Sequence, residues 1–536
     1  MGKALFYRLR DGIERRVYRA GHNRRLLKLA ADIQNNRPAA TGKPVVLFNA
    51  STRLSGLSLN AAYSLLTAWA LRLSGVRVIH FYCRQGLPLC VLGTSQKDVQ
   101  KAPPCLECIR QSQVLFSGGE AVTFELASNP ALEERLQGLS IPELMEFWYD
   151  GIPLGNLVLP SVRWVLRRHT LENDTVTRHV FTRYILGAWN ISVSFSSLLD
   201  REDPQAVLVF NGMSYPEAAA RWAAQQRGIR VITHEVCLMP FSAFFSDGDA
   251  TLRVIDIPEH FELSPEQNRK LDEYLDQRFK GNFKMAGVRF WKDMQNLDAT
   301  WLEKARSFKQ TVTIFSNVIF DTSQSHANTI FSDMFAWLDY TLTLVQAHPE
   351  TLFVYRAHPD EGRPGKESRE SVAGWAKHKS LDQYENVIFI PSDQRISSYE
   401  LIRHSKFIMV YNSTIGLEAS LLDAAVLCAG RSRFTDYPTV FFPRNVNEFS
   451  TMAESFLQVS KIEVPEIFKS NARRYLFYEL YKASLPFESF LKEDPYWQGY
   501  VTLKDLSWKD LLPANSLTMS TIVDGICFGK PFLLNN

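Results

Sequence analysis

The sequence predicts an α/β protein with two Rossmann-like, doubly wound domains that face each other across a cleft. Short apolar runs alternate with longer amphipathic segments, a pattern typical of parallel sheets with crossover helices. The alternation occurs twice, on either side of a polar, helical-looking segment at 257–300 that we interpret as a connection. The chain has 536 residues, of which 46% are apolar, and this is enough for more than one core.

In the first half, apolar runs predict strands at 45–48, 76–82, 206–210 and 229–233. The loop NASTRLSGLSLN follows the first run, and an amphipathic segment at 61–74 predicts the helix that crosses to the second strand. From about residue 83 to 200 the pattern is weaker, and we expect a less regular stretch there.

In the second half, strands are predicted at 311–316, 352–356, 387–390, 407–411 and 425–429, with helices at 330–347 and 415–424. The predicted organisation is a basic segment at 1–43, an N-terminal domain at 44–300 and a C-terminal domain at 301–460. The aromatic-rich tail at 461–536 is expected to pack back on the domains.

Charge is distributed unevenly along the chain. The net charge is +3, yet residues 1–43 carry eleven Lys and Arg against three Asp and Glu, an excess of eight positive charges. Apolar residues form a patchy helical stripe in this segment. It is either a solvated helix packed on the body or a basic amphipathic surface for anionic lipid. Nucleic-acid binding is not predicted, because the rest of the chain is acidic and has no aromatic-plus-basic motif.

The sequence favours a cytoplasmic protein, with peripheral contact to the inner face of the membrane left open by residues 1–43. The first residues are charged where a secretory signal is apolar. No apolar run approaches the ~18 residues that a membrane span needs. The seven cysteines are an odd number spread over a long chain, which favours a reducing compartment.

Polar residues follow two predicted strands of the second domain, and such strand ends are where ligands bind in doubly wound sheets. A helix start preceded by hydroxyls offers free N–H groups to an anion, and a strand-end Arg and His add donors. The alternative is ordinary helix capping. The residues predicted to bind a nucleotide phosphate or ribose are Arg356, His358, Asn412, Ser413, Thr414, Gly416 and Glu418.

These motifs carry a resemblance. RAHPDE, the pair Ser397 and Ser398 before a helix, and VYNSTIGLEASLLDAAVLCAG resemble the C-terminal half of bacterial capsule-polysaccharide glycosyltransferases, including Kdo transferases, and the His-Pro-motif sialyltransferases. The likeness covers roughly residues 305–445. It implies a GT-B fold in which His358, Ser413 and Thr414 bind the donor's phosphate and Glu418 lies near the ribose. It also implies that catalysis needs no metal or other cofactor.

The group that deprotonates the acceptor hydroxyl is expected in the cleft. Glu235 is preferred because it follows the predicted strand at 229–233, and Asp321 is a candidate on the opposite wall. Surface or helix-capping roles remain alternatives for both. Further candidates that follow strands of the first domain are Glu217, His234, Asp247 and Asp249.

Four cysteines, Cys83, Cys90, Cys105 and Cys108, lie within 26 residues. The C-x2-C half suits a structural zinc site, but the C-x6-C spacing is wider than usual for zinc ligands. An iron–sulfur cluster and free buried thiols are the alternatives.

The sequence therefore predicts a glycosyltransferase that uses a nucleotide-activated sugar, CMP-linked by the resemblance, and a surface or capsular polysaccharide or glycolipid acceptor. Three alternatives remain open: a UDP-sugar 2-epimerase, a polyol-phosphate transferase, and a non-catalytic nucleotide-binding factor for polysaccharide assembly.

Overall fold

The structure, a computed structural model, describes residues 2–50, 56–281, 284–285, 288–289 and 294–535, with side chains from residue 12 onward except at 284–285 and 288–289. Residues 51–55 of the predicted loop NASTRLSGLSLN and parts of the predicted connection at 257–300 lie outside the described residues. No helix in the described part of the chain is both long and apolar enough to span a bilayer.

The strands are numbered in chain order. They are β1 (Thr41–Asn49), β2 (Leu57–Ser58), β3 (Val76–Cys83), β4 (Glu120–Phe124), β5 (Ala206–Phe210), β6 (Arg230–Val236), β7 (Ser242–Asp247), β8 (Lys284–Met285), β9 (Val288–Arg289), β10 (Gln310–Phe315), β11 (Thr351–Arg356), β12 (Val387–Ile390), β13 (Phe407–Val410), β14 (Val426–Cys428), β15 (Leu485–Pro486), β16 (Leu491–Glu493) and β17 (Tyr500–Leu503).

The α-helices are numbered in the same way. They are α1 (Gly2–Asn36), α2 (Leu59–Leu73), α3 (Cys105–Leu115), α4 (Pro130–Arg135), α5 (Ile141–Met145), α6 (Leu154–Leu166), α7 (Thr175–Glu202), α8 (Tyr215–Gln225), α9 (Pro265–Phe279), α10 (Ala299–Arg306), α11 (Gln324–Ala327), α12 (Met334–Ala347), α13 (Val372–His378), α14 (Ser398–Arg403), α15 (Ile415–Leu421), α16 (Val446–Gln458), α17 (Glu466–Phe477) and α18 (Leu517–Phe528).

The predicted fold class is confirmed, because both large sheets have the Rossmann-like strand order. The N-terminal sheet runs β15-β7-β6-β5-β1-β3-β4, and the C-terminal sheet runs β12-β11-β10-β13-β14. From β6 to β4 and throughout the C-terminal sheet the pairs are parallel, whereas β7 and β15 are antiparallel additions at one edge.

Both faces of each sheet are buried, as expected for strands covered by helices on two sides. Each sheet has one hydrophobic cluster on each of its two faces. In β1, Val45 and Leu47 belong to the cluster on one face, and Val46 and Phe48 belong to the cluster on the other. In β11, Phe353 and Leu352 likewise belong to opposite clusters of the C-terminal sheet. The alternation follows from the two-residue repeat of a strand.

The tail contributes to both halves of the molecule. Strand β15 pairs with β7 at the edge of the N-terminal sheet, and α18 packs in the same core as α2. Helix α17 instead packs against α15 in the C-terminal half.

Three expectations were wrong. The stretch before residue 200 is regular from α6 onward, and α7 alone has 28 residues. The predicted strand at 229–233 extends to Val236, so Glu235 lies within β6 and not after it. The predicted helix at 415–424 ends at Leu421, where the chain turns through Asp423 with a positive φ of 61°.

Candidate functional site

The neighbouring strands β11, β10 and β13 end in register, and this brings the segments that follow them to one edge of the C-terminal sheet. Phe315 at the end of β10 pairs with Arg356 on one side and Val410 on the other. The segments beyond these residues line a cleft of about 1250 Å³. Its opposite wall comes from the N-terminal domain and includes Asn211 and Glu235.

A second pocket, of about 800 Å³, adjoins the cleft. Its lining includes Arg278, Ser398 and Tyr399. The residues that line both spaces are His358, Asp360, Ser413 and Thr414. The two segments that carry the predicted phosphate-binding residues therefore meet at the boundary between the pocket and the cleft.

His358 is half-buried and lines this boundary. Its Nδ1 accepts a hydrogen bond from the backbone N–H of Asp360 at 3.1 Å, which assigns the proton of the neutral ring to Nε2. Burial lowers the pKa of His358, and the nearby carboxylates of Asp360 and Asp321 only partly oppose this shift. No described residue accepts from Nε2, so this group is an open hydrogen-bond donor at neutral pH.

Ser413 and Thr414 precede helix α15 and offer two hydroxyl groups to the same place. Ser413 is buried and Thr414 is exposed. Thr414 occupies the N-cap position, but its side chain makes no capping hydrogen bond. Within the part of the chain that the structure describes, neither hydroxyl has a protein partner. Each is therefore available to a ligand in the cleft or pocket.

Arg356 is 2% exposed and is used to hold a neighbouring loop. Its guanidinium donates to the backbone carbonyls of Pro391 and Gln394 at 2.6 and 2.8 Å. Burial lowers the pKa of Arg356 to about 10. The side chain therefore remains cationic at neutral pH and lines the pocket. Because two of its nitrogens already donate to backbone carbonyls, it would attract an anion mainly through its charge.

Asn412 holds the loop that follows β10. Its side-chain oxygen accepts from the amides of Asn317 and Gln324 at 2.6 and 3.2 Å, and its own amide donates to Ser323 at 3.3 Å. These bonds tie the 317–324 loop to the end of β13. The structure therefore gives Asn412 a role in positioning this wall of the cleft.

Glu418 lines the second pocket and has two protein partners. It pairs with Arg278 at 2.6 Å and accepts from the hydroxyl of Tyr399 at 2.5 Å. Burial tends to lower the pKa of Arg278, but Glu418 more than compensates and raises it above the usual value. The sequence analysis did not identify Arg278, because no motif surrounds it. Tyr399 could have been identified, because it directly follows the Ser397–Ser398 pair.

Gly416 lies in close packing at the start of α15. A Cβ at this position would lie 3.0 Å from Cγ2 of Val410 and 3.3 Å from Cζ of Phe434. These atoms belong to the core between α15 and the sheet. The glycine thus lets the helix start lie close to β13.

The two preferred catalytic candidates face the cleft from opposite walls. Glu235 accepts hydrogen bonds from the amides of Asn60 and Asn211 at 3.2 and 2.9 Å. Asp321 is exposed and accepts from the backbone and hydroxyl of Ser323 at 2.8 and 2.6 Å. Both carboxylates are held in fixed positions by hydrogen-bond donors.

Of the other candidates, only Asp249 is part of the cleft region through its contacts. Its carboxylate lies 2.9 Å from Nε2 of His326, a cleft-lining residue of the C-terminal domain, and 2.9 Å from Arg221. Burial raises the pKa of Asp249, but the His326 bond, the charge of Arg221 and the bonds from Thr251 outweigh it and hold the pKa at about 2. His326 lies in α11, which follows β10 at the cleft edge of the C-terminal sheet, whereas its partner Asp249 comes from the N-terminal domain.

The remaining candidates lie elsewhere. Glu217 and His234 line a separate buried pocket of the N-terminal domain, and burial lowers the pKa of His234 to about 3. Asp247 lies at the end of β7, mostly exposed, and pairs with Arg230 at 2.5 Å. These residues do not line the cleft.

All four clustered cysteines line one small pocket of the N-terminal domain, and none of them forms a disulfide. Backbone N–H groups of Gly86 and Gly93 donate to the sulfurs of Cys83 and Cys90, both at 3.2 Å. Burial raises the pKa of both thiols to about 12. Among the described residues, no group of three or more Cys, His, Asp or Glu side chains is arranged to hold a metal ion. The zinc site therefore stays a prediction.

Comparison with known proteins gives one family match. Residues 270–478 match the model of the family described as capsule polysaccharide biosynthesis protein, which confirms the predicted resemblance for this part of the chain. The match includes β10 to β14 and every predicted nucleotide-binding residue. A search of curated proteins gives no match.

Solved structures are similar only distantly. A β-Kdo 2,4 transferase, KpsC of Thermosulfurimonas dismutans, is 12% identical, with 52% of this chain and 80% of that chain covered and a TM-score of 0.34. The β-Kdo 2,7 transferase of the same organism is also 12% identical, with 59% and 86% covered and a TM-score of 0.31. A UDP-GlcNAc 2-epimerase of Methanocaldococcus jannaschii is 11% identical, with 82% and 100% covered and a TM-score of 0.25. Likenesses this weak support no statement about function.

Proposed function

We propose that this protein is a glycosyltransferase that moves a sugar from a nucleotide-activated donor to a surface or capsular polysaccharide or glycolipid acceptor. The observation that carries the proposal is the group of open donors at one boundary: Nε2 of His358 and the hydroxyls of Ser413 and Thr414. They follow two strands of a Rossmann-like sheet, where nucleotides bind. The family match of residues 270–478 supports capsule polysaccharide synthesis as the setting.

In this proposal the donor's phosphate lies between the end of β11 and the start of α15. His358, Ser413 and Thr414 donate hydrogen bonds to the phosphate oxygens, and the buried charge of Arg356 lies nearby. When the bond between the sugar and the phosphate breaks, negative charge grows on the departing nucleotide. Fixed donors at that position stabilise this charge more than the ground state. A CMP-linked donor is preferred on the His-Pro resemblance, and no other cofactor is proposed.

The acceptor hydroxyl enters from the N-terminal wall. Its oxygen forms the new bond to the anomeric carbon, its proton passes to a carboxylate, and the nucleotide leaves with the bonding electron pair. We assign the carboxylate to Glu235, with Asp321 as the candidate on the opposite wall, since both line the cleft. We place the reaction in the cytoplasm, as the sequence predicts.

Nucleotide binding is the first test. Melting temperatures are measured with CMP, CDP, UDP and GDP for the wild type, His358→Ala and His378→Ala. His378 is an exposed histidine of the same domain and is a matched control. A ligand that binds only the folded protein raises its melting temperature. We expect a rise with at least one nucleotide for the wild type and His378→Ala, and a loss of that rise in His358→Ala.

The result also decides between the alternatives. A melting temperature that no nucleotide raises contradicts the proposal. Conversion of UDP-GlcNAc to free UDP and ManNAc without acceptor indicates a 2-epimerase. Transfer from a CDP-linked polyol donor indicates a polyol-phosphate transferase, and nucleotide binding without turnover on any polysaccharide acceptor indicates an assembly factor.

A further inference from the structure

Helix α1 has two unlike faces. The side chains of His22, Leu26, Leu29 and Ile33 are at most 6% exposed and pack on the N-terminal domain. On the opposite side, positions 13, 17, 20, 24, 27 and 31 follow one another in alternating steps of four and three, which places them in one stripe along the helix. We call this stripe, with Arg16 and Lys28 beside it, the outer face of α1.

The outer face combines exposed apolar and cationic side chains. Ile13, Val17 and Leu27 are 60%, 66% and 40% exposed. Arg16, Arg24 and Lys28 are exposed beside them, and no acidic residue belongs to this face. Large exposed apolar residues in one stripe usually indicate a surface that another partner covers. Their mixture with cations is typical of helices that lie in a lipid headgroup region.

We propose that the outer face of α1 binds an anionic lipid bilayer and holds the enzyme on the membrane surface. Each Lys or Arg close to an anionic surface is attracted to the lipid headgroups, and the apolar side chains enter the boundary of the acyl chains. The local excess of eight positive charges in residues 1–43 adds to this attraction. The inference does not depend on sugar transfer, since it concerns another part of the molecule.

A second copy of the chain is a poorer occupant of this face. Stripes with this spacing also occur in paired helices. Two copies would however bring Arg16, Arg24 and Lys28 of each helix close to the same cations of the other, and like charges at an interface oppose association. An anionic bilayer supplies the opposite charge.

The test is co-sedimentation of the full chain with vesicles. One set is pure phosphatidylcholine, and the other contains about one third phosphatidylglycerol, the anionic headgroup that the proposal requires. We expect binding to the anionic vesicles only, weakened by salt because these exposed charges are screened. Removing the three charges of the outer face in Arg16→Gln, Arg24→Gln, Lys28→Gln should lower the partition coefficient roughly 100-fold.

A matched control removes three exposed cations elsewhere. The substitutions Lys97→Gln, Lys101→Gln and Arg444→Gln change the net charge equally, and all three residues are exposed. This variant should bind as the wild type does. A separate pair, Ile13→Ser and Val17→Ser, should weaken binding without changing the net charge, and circular dichroism confirms that each variant is folded.

Three outcomes overturn the proposal: no binding of the wild type to anionic vesicles at low salt, equal loss in the control variant, or a wild-type dimer that Ile13→Ser and Val17→Ser dissociate while vesicle binding persists. Nucleotide-induced changes in melting temperature are measured on the same variants. They should be unchanged, so a failure of membrane binding is distinguishable from a failure of the proposed catalytic function.

Discussion

The two walls of the cleft use their polar side chains in different ways. On the C-terminal wall, Asn412 and Asp321 have hydrogen-bond partners, but His358 Nε2 and the hydroxyls of Ser413 and Thr414 have none among the described residues. On the N-terminal wall, Glu235 accepts from two asparagines and Asp249 from Arg221. A polar group without a partner is costly when water is excluded, whereas a paired carboxylate is already fixed in place. The difference matches the proposed division of roles, in which the C-terminal wall binds the donor and the N-terminal wall holds the catalytic carboxylate.

The largest effect is expected from Glu235→Gln. If this carboxylate takes the acceptor's proton, kcat should fall by about 100- to 10,000-fold, while nucleotides still raise the melting temperature as in the wild type. Steady-state kinetics with a saturating donor measures the change. Asp321→Asn is the paired variant from the opposite wall. A greater loss in Asp321→Asn than in Glu235→Gln would show that the base belongs to the C-terminal wall, and the proposed division of roles would be wrong.

The second largest effect is expected for Asp249→Asn, which should lower the free energy of unfolding. The pKa of this carboxyl is about 2 in the folded chain, below the value of about 3.9 expected when unfolded. A carboxyl whose pKa is lower in the folded state stabilises the fold at every pH above its unfolded pKa. This stabilisation disappears as the pH falls from about 4 toward 2. Asp249→Asn should therefore cost about 2 kcal/mol at pH ~7 and progressively less toward pH ~2.

Urea denaturation of the wild type and Asp249→Asn at several pH values measures this difference. Asp200→Asn is the control, because Asp200 also pairs with an arginine, at 2.7 Å, but is 62% exposed. An exposed pair contributes little. Equal effects of the two substitutions, or a difference that does not shrink in acid, would show that the Asp249 pair is not a stabilising element of the cleft.

Much of the fold could be predicted from the sequence. The strands β5 and β12 have the same bounds as the apolar runs that predict them, because buried parallel strands have no polar face. The long helix α7 was missed, although its buried residues Val180, Phe181, Tyr184 and Ile185 have helical spacing. Arg, His, Asn and Ser side chains between them weakened the apolar signal. The short strand β7 depends on antiparallel pairing with β6, which has no local signature.

The candidate site was predicted in position more than in detail. Strand ends identified Arg356 and Asn412 because parallel strands end at one edge. Their partners come from the 391–394 and 317–324 loops, and a sequence does not show which loop a side chain will reach. The same holds for Asp249 and His326, which come from different domains. Sequence thus located the cleft, while tertiary packing decided which polar groups stay open to a ligand.

The smallest effect is expected for Gly416→Ala, which tests whether the lack of a side chain at this position is needed for packing or for contact with a ligand. In Gly416→Ala the added methyl group would lie 3.0 Å from Val410 and 3.3 Å from Phe434, and such overpacking should cost about 1 kcal/mol. Gly21→Ala is the control, since nothing lies within 4 Å of a Cβ at that helical position, and alanine should stabilise the helix slightly. Melting temperatures and nucleotide affinities of both variants are measured together.

Because the methyl group meets the core and not the cleft, Gly416→Ala should lower the melting temperature and leave nucleotide affinity within about twofold. A large loss of affinity at unchanged stability would instead place the glycine against the ligand, and the open donors would then extend from the hydroxyls of Ser413 and Thr414 into the first turn of α15.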